Sequence, residues 1–316
     1  MDLIKINQET YLTHRSVLAI GNFDGVHLGH KQLISEAVSK ARQKGITSAV
    51  LTFRPHPRQV LVPDDSPALL TDDDLKRALI SRLEPDMLLE IPFTSQFSKV
   101  SPERFVEEYL VSRFKVAAVF IGYNYSFGAM GKGTSKMLEQ LGQYYGFSVF
   151  TIPPVKVDGH VVSSSLVRDQ LINGDVQQAN EYLGHPYIIK GIVKDGEKMG
   201  RKIGFPTANI DTDRMQVIIP SGVYMVRAYC SDIIRTGVMN IGNCPTFDRD
   251  KVSVEVHLLD FEGDLYGQIM EVEVLQRLRG ERAFSGVDQL VRQIGKDISQ
   301  VRQVIKDNVT LLDNGC

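Results

Sequence analysis

The hydrophobic rhythm of the chain changes once, near residue 184. Before it, short apolar runs alternate with helical spacing. Val17–Ile20 is an unbroken apolar run, and Leu33, Ile34, Ala37, Val38 and Ala41 follow it at intervals of one, three and four. Runs at 48–53, 87–91, 117–121 and 147–152 read as further buried strands, and 101–114 reads as a helix. Thr71 reads as the cap of a helix opening on Asp72-Asp73-Asp74, acids that match a helix dipole. Such regular alternation predicts a doubly wound parallel sheet. Helices entered at Ser163–Ser165 and at Gly174-Asp175 close this half at Leu183.

From Gly184-His185-Pro186 onward, period-two runs with glycine turns take over: 187–193, 222–229, 235–241, 252–261 and 268–275. They predict a small antiparallel barrel, followed by a helix from Val287 to about Lys306. The expected class is therefore α/β plus all-β, with domains at 1–184 and 185–316.

Composition narrows this little. At 316 residues, 43% hydrophobic and 23% charged, the chain has material for two cores. Lys+Arg 36 against Asp+Glu 38 gives a net charge of −2, so no basic excess points to nucleic acid. Cys230, Cys244 and Cys316 have no metal spacing and suit reduced thiols. No apolar run spans a bilayer or forms a signal-peptide core, so a cytoplasmic protein without membrane partners is expected. A homo-oligomer is left open.

The chemistry concentrates in four stretches. Gly21-Asn22-Phe23-Asp24-Gly25-Val26-His27-Leu28-Gly29-His30 falls where a strand becomes a helix, the place where backbone N–H groups and a helix dipole meet an anion. Gly25 and Gly29 permit a sharp turn and close approach of a phosphate. His27 and His30, three apart, share one side of the first turn. A strand–helix corner, a metal pair with His56 as a remote third ligand, and a phosphate site all fit the residues. Ser163-Ser164-Ser165 with Arg168 makes a second helix start suited to an anion. Between them, Asn124, Tyr125 and Phe127 lie on a loop at a strand's carboxyl end, where rings could flank a flat ligand or simply pack. The tail of that loop fails P-loop spacing.

In the second half, glycines in Gly196–Gly204, among them Gly200 and Gly204, let backbone approach phosphate. Thr207 and Asn209 in Pro206-Thr207-Ala208-Asn209 offer hard oxygen ligands for Mg²⁺ held with ATP. Alternation at Val254–Leu258 puts Glu255 and His257 on one face, where Glu255 either faces solvent or orients a substrate hydroxyl.

The Gly21–His30 string resembles the G-x-F-D-G-x-H-x-G-H signature of the adenylyltransferase/cytidylyltransferase superfamily, whose nucleotidyltransferase domain is Rossmann-like, and Ser163–Arg168 resembles its S-S-[ST]-x-x-R motif. Phe205–Asn209, Gly222-Val223-Tyr224, Gly237–Gly242, Pro245-Thr246-Phe247, Glu255-Val256-His257 and Leu278–Phe284 look like the riboflavin kinase family. From about residue 15 to about 305 the chain is similar to the family of bacterial bifunctional riboflavin kinases/FAD synthetases. That resemblance implies phosphorylation of riboflavin by ATP to FMN in the second half, then adenylation of FMN to FAD in the first. It puts the general base on Glu255 and Mg²⁺ on Thr207 and Asn209. It makes His27 and His30 catalytic, stabilising the charge of the adenylyl-transfer transition state, and puts nucleotide and phosphate contacts on Gly21, Phe23, Asp24, Gly25, Gly29, Ser163, Ser164, Ser165, Arg168, Gly200 and Gly204. Flavin contacts fall on Asn124, Tyr125, Phe127, Arg279 and Phe284, although many relatives carry Asp at the Asn124 position. The alternatives are a monofunctional nucleotidyltransferase with a degenerate barrel and a non-catalytic flavin-binding regulator.

Overall fold

The apolar runs of the first half become a six-stranded parallel sheet. Its strands are β1 (Asp2–Lys5), β2 (Ser16–Ile20), β3 (Thr47–Arg54), β4 (Met87–Pro92), β5 (Val116–Gly122) and, after the short antiparallel pair β6 (Ser126–Phe127) and β7 (Gly133–Thr134), β8 (Ser148–Ile152). The spatial order is β1-β4-β3-β2-β5-β8, every pairing parallel. All five β2 residues are buried, as expected of a strand covered on both faces. β1 escaped the hydrophobic pattern because it is a four-residue edge strand with three exposed positions. In this computed structural model, residues 1–196, 199–212, 215–243 and 252–313 are described.

Helices cover the sheet: α1 (Leu28–Lys44), α2 (Pro57–Leu61), α3 (Asp73–Ser81), α4 (Pro102–Arg104) running on as a π-helix over Phe105–Arg113, and α5 (Ser135–Tyr145). The five apolar positions that predicted α1 are its buried residues. Chain order runs outward from β2 through β3 to β4, then returns to place β5 on the other side of β2. The crevice beyond the carboxyl ends of β2 and β5 is thus the switch point at which open α/β sheets take ligands. One local expectation needs correction. α3 is capped by Asp72, whose carboxylate accepts from the Leu75 N–H at 2.6 Å, and not by Thr71. Thr71 is buried, and its hydroxyl is engaged elsewhere.

The chain divides into two compact units, Met1–Ser164 and Ser165–Cys316. After the small pair β9 (Lys156–Val157) and β10 (His160–Val161), α6 (Ser164–Asn173) begins at that division and α7 (Val176–Leu183) follows. Asn180 ties α7 to the strands beneath it, donating to Val274 O at 2.9 Å and accepting from the Tyr187 N–H at 2.7 Å. The change of hydrophobic rhythm near 184 falls after α7.

The second unit is a closed barrel. Its strands are β11 (Tyr187–Lys194), β12 (Ala208–Thr212), which follows the one-turn helix α8 (Met199–Lys202), β13 (Gly222–Cys230), β14 (Ile233–Asn243), β15 (Val252–Leu258) and β16 (Ile269–Gly280). They close in the order β11-β12-β15-β14-β13-β16. Alternation predicted five of these and missed β12, whose five residues sit directly behind Gly204-Phe205-Pro206 and look like loop. α9 (Val287–Asp313) packs Ile298, Val301, Val304 and Ile305 against Val223, Met225, Val238 and Leu259. Cys230 is buried and its thiol is pushed up by burial, which fits an inert side chain. Cys244, Cys316 and the Pro245-Thr246-Phe247 motif lie outside the described residues.

Candidate active site

At the end of β2 the backbone turns through left-handed conformations at Phe23 (φ 53°), Gly25 (φ 80°) and Val26 (φ 39°) before entering α1. A β-branched residue such as valine rarely adopts a positive φ, so this turn is strained and its surroundings must hold it. His27 is the N-cap of α1, and its Nδ1 accepts the His30 N–H at 3.3 Å. That bond leaves Nε2 as the proton-bearing atom of a neutral His27. The two imidazoles stack with centroids 3.6 Å apart and planes 16° from parallel, and Phe23 packs edge-on against His30 at 5.2 Å. A Cβ on Gly29 would meet the His27 ring at 3.2 Å, so glycine is what lets the ring lie there. Burial, reinforced by the neighbouring His27, holds the His30 pKa well below the usual imidazole value. Its Nδ1 is buried with no hydrogen-bond partner among the described residues.

Asp24 lies beneath the turn, 4% exposed. Its carboxylate accepts from the N–H groups of Leu70 and Thr71 at 2.9 and 3.2 Å, and its carbonyl accepts from the Ser164 hydroxyl at 2.9 Å. Ser164 therefore comes to the Gly21–His30 turn, with Ser163 beside it in sequence. Arg168 follows four residues on along α6, on the same face as Ser164. Ser165 is exposed.

Asn124 is exposed on the loop after β5, next to β2 in the sheet. Tyr125 and Phe127 stack at 5.6 Å, but Phe127 is buried against Phe105 at 5.8 Å and belongs to the core. The buried Tyr125 hydroxyl has no partner among the described residues, and burial raises its pKa. His56 caps α2, its Nδ1 accepting the Arg58 N–H at 3.3 Å.

In the barrel, period-two burial on β15 is as the sequence predicts. Val254, Val256 and Leu258 are buried, and Glu255 and His257 face outward, partly covered. Asn209 on β12 stands in register with Glu255. The Thr207 hydroxyl donates to one Glu255 oxygen at 3.1 Å and the Ser253 hydroxyl to the other at 3.1 Å. A cleft lined by Gly196, Arg201, Pro206, Thr207, Asn209 and Tyr266 opens beside them. A Cβ on Gly196 would collide with the Asn209 carboxamide, and one on Gly200 would collide with Phe205 O and come 3.2 Å from the Thr207 hydroxyl. The backbone thus forms a cradle around two neutral oxygen donors with a carboxylate behind them, a donor set that fits Mg²⁺ with nucleotide phosphates. Gly204 turns the chain at φ 88°.

Arg279 is committed to Asp297 of α9, Nη2 to Oδ2 at 2.8 Å, and lies 5.9 Å over the Phe284 ring. The sequence reading took Thr71 for a helix cap alone and passed over Ser253. Ser253 is visible in principle, two residues before Glu255 on the same strand face. Thr71 is 46 residues from the Gly25 N–H that it accepts, and no local spacing announces it.

Residues 10–166 match the FAD synthetase family, and residues 183–305 match the riboflavin kinase family. The chain is 41% identical over 288 residues to the bifunctional riboflavin kinase/FMN adenylyltransferase of Bacillus subtilis, covering 90% of each. It is 35% identical to the protein of that name in Escherichia coli K12, covering 91% of this chain and 92% of that one. A solved structure described as a macrolide-efflux protein from Streptococcus pneumoniae is 29% identical, with a TM-score of 0.87 over 96% of this chain and 99% of that one. That description belongs to that protein; among the described residues here, no helix is long and apolar enough to cross a membrane. With both domains matched and near-complete coverage of relatives above 30% identity, the chain belongs to the family of bacterial bifunctional riboflavin kinases/FMN adenylyltransferases.

Proposed function

We propose that the two activities of this family are divided between 185–316, which phosphorylates riboflavin, and 1–184, which adenylates the FMN produced. The reading is carried by two separately built phosphate turns on one chain: stacked histidines at the β2–α1 turn, and the Gly196–Asn209 cradle beside Glu255.

In the kinase half, Glu255 is the group that draws the proton from the ribityl 5′-hydroxyl. Thr207 and Ser253 each donate to one of its oxygens, so its carboxylate is held in one orientation. Thr207 and Asn209 would hold Mg²⁺, which when bound with ATP supplies neutralisation of charge on the transferring phosphoryl group. Glycine at 196 and 200 lets the Asn209 carboxamide and the chain at Phe205–Thr207 close in, which sets the two oxygen donors in place. Arg279, fixed by Asp297, with Phe284 against it, forms the flavin side of this site.

In the adenylylating half no protein base is required, since the FMN phosphate is already an ionised nucleophile. The protein has to align it with the α-phosphorus and stabilise the pentacoordinate charge. His30, held neutral by burial, and His27, whose Nδ1 is taken by the His30 N–H, turn ring N–H donors to the phosphates. Ser164 and the N-terminus of α1 add to the anion site. Asn124, with Tyr125 beside it and Phe127 as their buried support, meets the flavin. No observation favours a degenerate barrel or a catalytically dead regulator.

The test is a chromatographic time course of the full-length protein with riboflavin, ATP and Mg²⁺. FMN is expected first and FAD later. FMN without FAD would remove the adenylylating half from this reading, and FAD formation from supplied FMN alone would remove the kinase half.

A further inference from the structure

The strained turn at the end of β2 is held by three hydroxyls from three distant segments. Thr52 donates to Asn22 O at 3.2 Å, Ser164 donates to Asp24 O at 2.9 Å, and Thr71 accepts the Gly25 N–H at 3.2 Å. Thr71 does the most. Its own N–H donates to the Asp24 carboxylate at 3.2 Å, and its hydroxyl lies 3.5 Å from that same oxygen. Both partners are sealed from water, Asp24 at 4% and Thr71 at 5% exposed. In that setting a missing hydroxyl takes this acceptor from the Gly25 N–H of a buried turn.

We propose that Thr71 is a positioning residue for adenylyl transfer: its hydroxyl locks Gly25 and Asp24 together, fixing how the chain enters α1 and so where the His27 and His30 rings stand. Thr71 touches no reacting atom. A single residue, Val26 at φ 39°, separates Gly25 from His27, so slack at Gly25 is passed to the ring. The inference rests on the assignment of this turn to adenylyl transfer, and the experiment separates the two.

Full-length Thr71→Val, Thr71→Ala, Thr71→Ser and His30→Ala proteins are assayed for FMN adenylylation and, in the same samples, for riboflavin phosphorylation. Thr71→Val and Thr71→Ala are expected to lower the adenylylation kcat about 100-fold, the scale of a misplacement of about 1 Å. KM for ATP and FMN should stay within about threefold, the pattern of an interaction lost from the transition state. Thr71→Ser should restore most of kcat, and phosphorylation should be unchanged in all four. An unaltered kcat in both removal variants overturns the proposal. So does a loss confined to KM, a loss that serine does not rescue, or an equal loss of both activities with a lowered melting temperature. Should valine prevent folding, the alanine variant decides by the same criteria. If His30→Ala adenylates normally, the assignment of the turn falls and the proposal falls with it; if His30→Ala is dead while Thr71→Val is not, the proposal alone falls.

Discussion

At the scale of single residues, His30 makes two predictions. His30→Ala should abolish FAD formation and leave FMN formation near normal, as read by separate assays with FMN or riboflavin supplied. The second concerns pH. In the unfolded chain His30 titrates near about 6.5, whereas burial and His27 hold its folded pKa well below that. Between those two values the unfolded state binds the proton and the folded state does not, so stability falls as pH drops through that window and is full above it. The melting temperature should therefore decline from about pH 7 to about pH 5 less steeply in His30→Gln than in the unaltered protein. Equal slopes would mean that His30 is not buried neutral. The histidine pair was legible in the sequence because both residues lie within one helical turn, where spacing dictates proximity. Thr71 was not, since its partners arrive only when β2 and the approach to α3 are folded together. Phe127 shows the opposite case: an aromatic on a loop at a strand's carboxyl end invites a binding role, yet the structure buries it in the core.

At the scale of elements, the register of β12 against β15 decides the proposed kinase site. It sets Asn209 opposite Glu255, so Asn209→Ala should stop FMN formation while supplied FMN is still adenylated. A failure to convert supplied FMN would refute the division of labour. The sequence carried the residues of this pair but not their adjacency, because β12 is five residues long behind a Gly-Phe-Pro turn and offers no usable periodicity. Elements with long, regular apolar spacing, α1 above all, were readable in full. The link between β16 and α9 makes a stability prediction. Arg279 and Asp297 are 12% and 5% exposed at the side chain. Breaking such a pair strands a buried guanidinium, so Asp297→Ala should cost about 3 kcal/mol or more in denaturant unfolding of the barrel unit. A cost near zero would show that the pair is open to water.

At the scale of the whole molecule, two units with separate cores carry separate chemistry. Mixing His30→Ala protein with Asn209→Ala protein should therefore yield FAD from riboflavin, because each supplies the step the other lacks and FMN is a stable intermediate. Absence of FAD from that mixture, with both half-reactions intact, would mean that FMN does not leave the kinase site. The two folds also differ in how they meet other chains. A barrel that closes on itself offers no strand edge for a stranger to extend. The open sheet has two, β1 and β8, with four and five residues respectively. Parallel sheets assemble slowly, since each pairing waits for a long crossover to close. During synthesis or after heating, it is the flavin-adenylating sheet that lies open to aggregation by edge-to-edge pairing, and the brevity of its two border strands is the protection it has.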